Sequence, residues 1–304
     1  MSKPEVSIVL PCFNGEKFIE KQILSILNQT YRSIELIIVD DRSTDNTVSI
    51  VSELAKNFSQ IKLHINSKNL GLNKNFEKAI SLAGCNFIAL SDQDDIWTPT
   101  KIDELLNAIG DHWLIFSNSE LINDKDEKLG SVLLENFSLE RRSFKSISIN
   151  NFVTGHTVLF KRELLKYALP LPSKGFYDWW LGFVAIYHQR IAFLDKNLTL
   201  YRVHEQSVIQ QQAKKVYAKE LAQAELHYNT TLTNLYNVQN YSFLKDQDKG
   251  FLKTFSIVYE LRKTSLIPLV VFYYIYFNDL FPSHRKKKRI SKSRWKLAKQ
   301  LAKI

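Results

Sequence analysis

Glycine is scarce in this chain, with nine residues in 304. No GxGxxG occurs, and the first strand-to-helix junction, PCFNGEKF from Pro11, holds a single glycine. That argues against a dinucleotide cradle, whose pyrophosphate needs close backbone approach at several glycines. Cysteine is scarcer still. Cys12 and Cys85, the only two, exclude a disulfide framework and a zinc cluster, fit a reducing compartment, and read as packed small residues. The longest apolar stretch, Leu266–Phe277, runs for twelve residues with Pro268 inside. It falls short of the ~20 residues needed to cross a bilayer. A short polar start, Met1–Glu5, leads straight into an apolar strand pattern, so no signal peptide is expected. Acidic residues are missing altogether from Pro282 to Ile304, where ten of the 41 basic residues lie. Without those ten the chain has 31 basic and 31 acidic residues. The net charge of +10 therefore belongs to a tail and not to the fold.

What is present is an alternation of periods. Val6–Leu10, Glu35–Val39, Ile61–Ile65, Asn86–Leu90 and Trp113–Ser117 read as buried strands. Between them, Glu16–Gln29, a segment carrying Val48, Val51, Leu54 and Ala55, and Asn75–Ala83 have helical spacing, and Pro99 opens a further helix. Ser43 or Thr44 is a candidate cap for the second helix. Strands separated by helices predict an α/β fold with a mostly parallel, Rossmann-like sheet covered by helices. Past residue 120 the pattern loosens. Asn151–Phe160 reads as strand and turn, Phe176–His188 as helix, Ile191–Asp195 and Leu198–Val203 as short strands, and Ala213–Tyr236 as a polar helix. The expected division is a domain over 1–210, with a nucleotide half to about 117 and an acceptor half to 210, followed by a helical, basic region over 211–304.

Ligands bind beyond the carboxyl ends of strands in such sheets. Here those ends carry Pro11, Phe13 and Asn14 after the first strand, Asp40, Asp41 and Asp45 after the second, and Asp92, Gln93, Asp94 and Asp95 after the fourth. Capping or turn formation accounts for Asp40, Asp41 and Asp45 as well as chemistry does, and Asp95 is a candidate cap before Pro99. Asp92 and Asp94 are harder to explain structurally. Crowded carboxylates repel unless a cation lies among them, and oxygen ligands favour Mg2+ or Mn2+.

VSIVLPCFN from Val6, ELIIVDDRSTDNT from Glu35, NLGLNKN from Asn69 and SDQDDIW from Ser91 together resemble the family-2 glycosyltransferases of GT-A fold. The SDQDDIW form looks most like the rhamnosyltransferase-like branch. The resemblance spans residues 4–208. It implies a metal-dependent, inverting hexosyltransferase using a nucleotide diphosphate-sugar, dTDP-rhamnose or a UDP-linked sugar, on a glycan or lipid-linked acceptor of bacterial surface polysaccharide. Pro11 and Asn14 would then lie on the nucleotide-facing loop, and Asp41 would meet the base. Asp92 and Asp94 would form the DxD pair at the Mn2+ or Mg2+ ion, with Asn73 and Lys74 near the diphosphate. Asp178, in YDWWL, matches the catalytic base, and His204, in YRVHEQSV, a histidine near the diphosphate and candidate third metal ligand. Glu205–Ser207 depart from the glycine and asparagine usual after that histidine, and His156 stands where a small residue is common. Trp179 and Trp180 are either acceptor-stacking or core.

Two other readings compete. A sugar nucleotidyltransferase shares the sheet and an acidic metal site, but carries a glycine-rich loop where PCFNGEKF stands. A non-catalytic protein binding membrane or nucleic acid through the tail would leave the acidic loop and Asp178 without a use. The neutral remainder of the chain offers no groove for nucleic acid. An anionic membrane surface suits the tail better: Arg285–Arg289 are five consecutive cations, followed by Ile290, Trp295, Leu297, Leu301 and Ile304 at helical spacing among lysines. The location expected is cytoplasmic, peripheral on the inner face of the membrane.

Overall fold

The computed structural model describes residues 5–203, 219–282 and 292–303. They form two compact units. The first comprises Met1–Phe137, Val153–Ser173 and His188–His204, the second Ser138–Phe152, Lys174–Tyr187 and Glu205–Ile304.

The first unit is built on one nine-stranded sheet. Its first half follows the expected alternation: β1 (Val6–Cys12), α1 (Ile19–Leu27), β2 (Ile34–Asp40), α2 (Thr47–Asn57), β3 (Ile61–Ile65), α3 (Leu72–Leu82) and β4 (Phe87–Leu90). β1 pairs in parallel with both β2 and β4, and β2 with β3. Every residue of β1 and β2 is buried, which is why both read as near-continuous apolar runs. α1 seats Ile19, Ile23 and Ile26 on the sheet.

Beyond β4 the sheet turns mixed. The elements are β5 (Ile96–Trp97), α4 (Lys101–Ala108), β6 (Leu114–Ile122), β7 (Lys128–Val132), α5 (Phe144–Ile147), β8 (Val158–Lys161), α6 (Leu165–Ala168), α7 (Tyr177–Tyr187) and β9 (Ile191–Arg202). The order is β3-β2-β1-β4-β8-β6-β9-β5, with β7 beside β6. β8 runs antiparallel to both β4 and β6, while β6 and β9 are parallel. The two short strands expected over 191–203 are therefore one. Its register against β6 shifts between Ser117 and Ser119, and the exposed Asp195–Asn197 there produce the polar interruption read as a break.

In the second unit α7 is buried nearly throughout. Trp179 donates its indole N–H to the Ile147 carbonyl at 2.5 Å. Trp180 stacks on Phe183 and meets Tyr241 edge-on. Both tryptophans are core. The C-terminal helices span Lys219–Gln239, Asp246–Glu260, Ile267–Ile275, Phe277–Leu280 and Lys292–Leu301. A boundary at 210 thus misses that 138–152 and 174–187 belong with these helices. An element apolar on all sides, like α7, needs cover on all sides, and aromatic neighbours such as Tyr241 supply it. Among the described residues no helix is long and apolar enough to cross a membrane.

Glu35 shows how the sheet handles a charge at the end away from the site. It is 4% exposed and accepts from the Ser7 hydroxyl, the Lys62 ammonium and the Gly84 amide. Burial alone would raise its pKa, but these donors and Cys85 hold it at about 2. A carboxylate depressed in the folded state adds stability above its unfolded value and loses it as pH falls towards the folded one. Glu35→Gln is therefore expected to flatten the decline of Tm between about pH 4.5 and about 2. Thermal melts of parent and variant across that range test this, and parallel acid limbs would contradict it.

Candidate active site

The carboxyl ends of β2, β1 and β4 lie side by side, with β1 in the middle. The two acidic segments therefore flank the β1 loop. Pro11 is not on that loop. It is buried within β1, opposite Val39. The Val9 carbonyl bonds the Ser91 amide and the Cys12 carbonyl the Asp41 amide, so alternation turns Pro11 towards β4. That strand's pairing has already ended at Leu90, and the missing proline N–H costs no ladder bond.

Asn14 is on the loop, at φ 49°. Its amide donates to Ser43 Oγ at 2.9 Å, and its side-chain oxygen accepts from the Thr44 amide at 2.8 Å. Gly15 N–H reaches Thr47 Oγ1 at 2.8 Å, and Glu16 N–H reaches Asp45 at 3.1 Å. Asp45 also accepts from the Thr47 amide at 3.0 Å. It is the turn support, while neither Ser43 nor Thr44 caps α2, which begins after Asn46. Asp40 is a turn residue too, accepting from the Ser43 amide at 2.9 Å.

Asp41 is 3% exposed. Its carboxylate accepts from the Leu70 amide at 2.8 Å, the Gly71 amide at 2.9 Å and Asn66 Nδ2 at 2.7 Å. These bonds pin the loop before α3. On α3 itself Asn73 is buried and donates to the Pro172 carbonyl at 2.8 Å, while Lys74 is exposed.

The acidic loop is fastened on three sides. Gln93 pairs with the Phe13 backbone, accepting from its N–H at 2.9 Å and donating to its carbonyl at 3.2 Å. A Cβ on Gly15 would lie 2.5 Å from Gln93 Oε1, so only glycine leaves this pairing room. Asp95 is fully buried. It does not cap α4, which begins after Thr100, but accepts from the Arg202 amide at 3.0 Å. Burial pushes its carboxyl well above the usual range, against the pull of His156 and with the push of Asp94 and Asp92. Lys101, also fully buried, donates to the His156 carbonyl and to Thr199 Oγ1, and lies 3.7 Å from the Trp97 ring centre. Burial holds its pKa well down, against the pull of Asp95 and Asp92.

His156 enters from β8. Because β8 is antiparallel to β4, the turn that starts it comes up beside the end of β4. The imidazole is fully buried, stacks on Tyr201 at 4.6 Å and holds Ser119 Oγ through Nε2 at 2.9 Å. Its Nδ1 lies 3.6 Å from an Asp95 oxygen and 3.7 Å from an Asp92 oxygen. One atom each of Asp92, Asp95 and His156 comes within 4.8 Å of the others. The structure thus joins Asp92 to Asp95 and His156, and Asp94 is outside that group. His204 lies outside the described residues. Asp178 sits in the first turn of α7, in the second unit, accepting from the Trp179 amide at 2.6 Å and Asn151 Nδ2 at 3.3 Å.

Sequence reasoning missed His156 as a partner of the acidic loop, and Arg202 entirely. Arg202 is 1% exposed. Its Nε donates to the Asp94 carbonyl at 2.7 Å and an Nη to the Asn123 carbonyl at 2.8 Å. The other Nη meets Asp126 at 2.6 Å, and the guanidinium covers the Phe18 ring at 4.3 Å. The available signal was a charge inside an apolar strand pattern, LTLYR. Truncating one side of such a buried pair costs about 3–5 kcal/mol. Because Asp126 is 28% exposed, Arg202→Met is expected near the lower figure in urea unfolding, with turnover reduced as well. A loss below about 1 kcal/mol would show that the clamp is dispensable.

Residues 7–168, more than half of the chain, match the sequence model of glycosyl transferase family 2. The chain is 31% identical over 180 residues to an Escherichia coli protein, the UDP-Glc:alpha-D-GlcNAc-diphosphoundecaprenol beta-1,3-glucosyltransferase WfgD, covering 58% of this chain and 68% of that one. Among solved structures it is similar to S. aureus TarS 1–349 in complex with UDP-GlcNAc, with a TM-score of 0.63, 18% identity and coverage of 88% and 80%. It is also similar to the mannosyltransferase PcManGT of Pyrobaculum calidifontis in complex with GDP-Man and Mn2+, with a TM-score of 0.58, 16% identity and coverage of 99% and 80%. With its DxD-bearing loop at the carboxyl ends of a mixed α/β sheet, the chain belongs to glycosyl transferase family 2 and is a glycosyltransferase of GT-A fold.

Proposed function

We propose that this enzyme moves a hexose, with inversion, from a UDP-linked donor to a lipid-linked glycan in bacterial surface polysaccharide synthesis, at the cytoplasmic face of the membrane. The observation that carries the reading is the Asp92–Asp95 loop, which brings three carboxylates to the ends of the central strands with an imidazole behind them.

A divalent cation, Mn2+ or Mg2+, fits these residues. His156 Nδ1 and Asp95 Oδ2 are buried and have no hydrogen-bond partner among the described residues. At 3.6 Å they are too far apart to bond each other. Asp92 and Asp94 would hold the ion from the open side of the loop, with Asp95 Oδ2 and His156 Nδ1 as further ligand atoms beside Asp92. When bound, the ion offsets the charge that develops on the leaving diphosphate. His204 would also be a ligand, as the resemblance implies.

The chain's own groups would orient the donor and accept the acceptor's proton. Asn14, Asp41 and the loop that Asp41 pins would receive the base and ribose, with Pro11 supporting them from inside β1. Lys74, exposed on α3, would meet a phosphate, and Asn73 anchors the helix that carries it. Asp178 would take the proton of the attacking acceptor hydroxyl. This rests on its match to the base of inverting family members.

The donor assignment follows the relatives. WfgD is named for a UDP-Glc donor, a diphosphoundecaprenol acceptor and a β-1,3 product. A sugar α-linked to its diphosphate yields a β product by inversion. Neither WfgD nor the two solved neighbours is named for dTDP-rhamnose, so the deoxyhexose expectation yields to a UDP-hexose.

EDTA and Asp94→Asn should each abolish release of nucleoside diphosphate. His156→Asn should weaken Mn2+ binding, read by EPR, by about 10- to 100-fold; unchanged affinity would separate His156 from the ion. Asp178→Asn should lower transfer by about 10²- to 10⁴-fold while nucleotide affinity stays within a few-fold, and turnover near the parent's would put the base elsewhere. In competition, UDP should displace a donor analogue more strongly than dTDP does, and the reverse order would restore the deoxyhexose donor.

A further inference from the structure

The helix Ile267–Ile275 is apolar on every side, yet only one side is covered. Leu269, Val270, Phe272 and Tyr273 are buried in the second unit. The opposite side shows Ile267 at 71%, Val271 at 40% and Ile275 at 62% exposure, spaced four residues apart and hence in one stripe. A surface helix ordinarily carries polar residues there.

The helix Lys292–Leu301 packs beside this one. Ala298 and Ala302 are fully buried, and Trp295 meets Tyr274 edge-on at 5.7 Å. Arg294 lies over the rings of Tyr274 and Phe277, each at 5.2 Å. That packing leaves Trp295, Lys296, Lys299 and Lys303 exposed, and the spacing of the three lysines puts them in one stripe along the helix. Leu297 and Leu301, expected to form the apolar side of this segment, are half-buried. Ile290 and Ile304 lie outside the described residues. The aliphatic stripe therefore comes from one helix and the cations from the other. Asp279 is the last acidic residue of the chain, so nothing after it opposes those cations.

We infer that the helices Ile267–Ile275 and Lys292–Leu301 together form a docking face for an anionic bilayer, with Ile267, Val271 and Ile275 entering the acyl boundary and Lys296, Lys299 and Lys303 meeting the headgroups. Charge selects the occupant. A second copy of the chain would bring the same cations against these ones, whereas anionic lipid complements them. Trp295 is an amphipathic ring of the type enriched at that depth. The face lies within the second unit alone; it deepens the lipid-linked acceptor reading without needing it, because vesicle binding and sugar transfer are measured separately.

The experiment is flotation of the full chain with vesicles of phosphatidylcholine alone or mixed with phosphatidylglycerol. The chain should float with the mixed vesicles at low salt and be released at high salt. Ile267→Asn with Ile275→Asn should reduce binding at least about tenfold, with circular dichroism and thermal midpoint unchanged, since both side chains are exposed. Lys296→Glu with Lys299→Glu should remove the preference for phosphatidylglycerol. Failure of the parent to float, unchanged binding by the isoleucine variant, or a lipid-free dimer that this variant dissociates would each overturn the inference, the last by assigning the face to self-association.

Discussion

Asp95 is the constraint around which the first unit is arranged. A carboxylate with no solvent exposure costs several kcal/mol unless charges and donors surround it. The surroundings are Lys101, close by at the start of α4, and two groups from distant places, the Arg202 amide on β9 and His156 at the turn into β8. His156 reaches Asp95 because the sheet reverses after β4. A continued parallel sheet would begin its next strand at the far edge. The antiparallel β8 begins beside the end of β4, and β9 runs up alongside β6 to bring Arg202 to the same point. The mixed half of the sheet and the acidic loop are one arrangement.

The parallel half holds its loops by different means. The β1 and β2 loops are bonded to each other through Asn14, Gly15, Glu16, Ser43, Asp45 and Thr47, and Asp41 fixes the next loop through two successive backbone amides. Gln93 joins the acidic loop to the β1 loop. On the proposed function, a donor bound here would meet loops already fixed, so little ordering would be left to be done on binding.

Much of this was legible in residue order. β1 to β4 and the helices between them follow from periodicity, because central parallel strands are buried on both faces and their helices on one. The polar strand ends gave the acidic loop and the flanks of the β1 loop. Pairing across the sheet was not legible. Periodicity carries no information on strand direction, so the reversal at β8 was invisible, and with it the approach of His156 to Asp92. Asp95 read as a cap because a carboxylate before Pro99 satisfies a local rule; the bond it makes, to the Arg202 amide, is separated by 107 residues. Asp178 is singled out by resemblance alone, since a carboxylate in the first turn of a helix is ordinary on its own.

The two helices apolar on all sides show why composition alone does not decide burial. α7 and Ile267–Ile275 read alike in sequence, each a short run of aromatic and aliphatic residues. α7 is enclosed, with a single half-buried charge, Asp178, at its start. Ile267–Ile275 is enclosed on one side only, and its open side carries the more weakly packing aliphatics while the aromatic Phe272 and Tyr273 face inward. Burying a large ring stabilises more than burying a valine or isoleucine edge, so the unit takes the aromatic side and leaves the aliphatic one. A solvated helix would have put polar residues on the remaining side at no cost to the core. Keeping Ile267, Val271 and Ile275 there is a sequence choice that core packing does not require, and the neighbouring cations specify what kind of surface would.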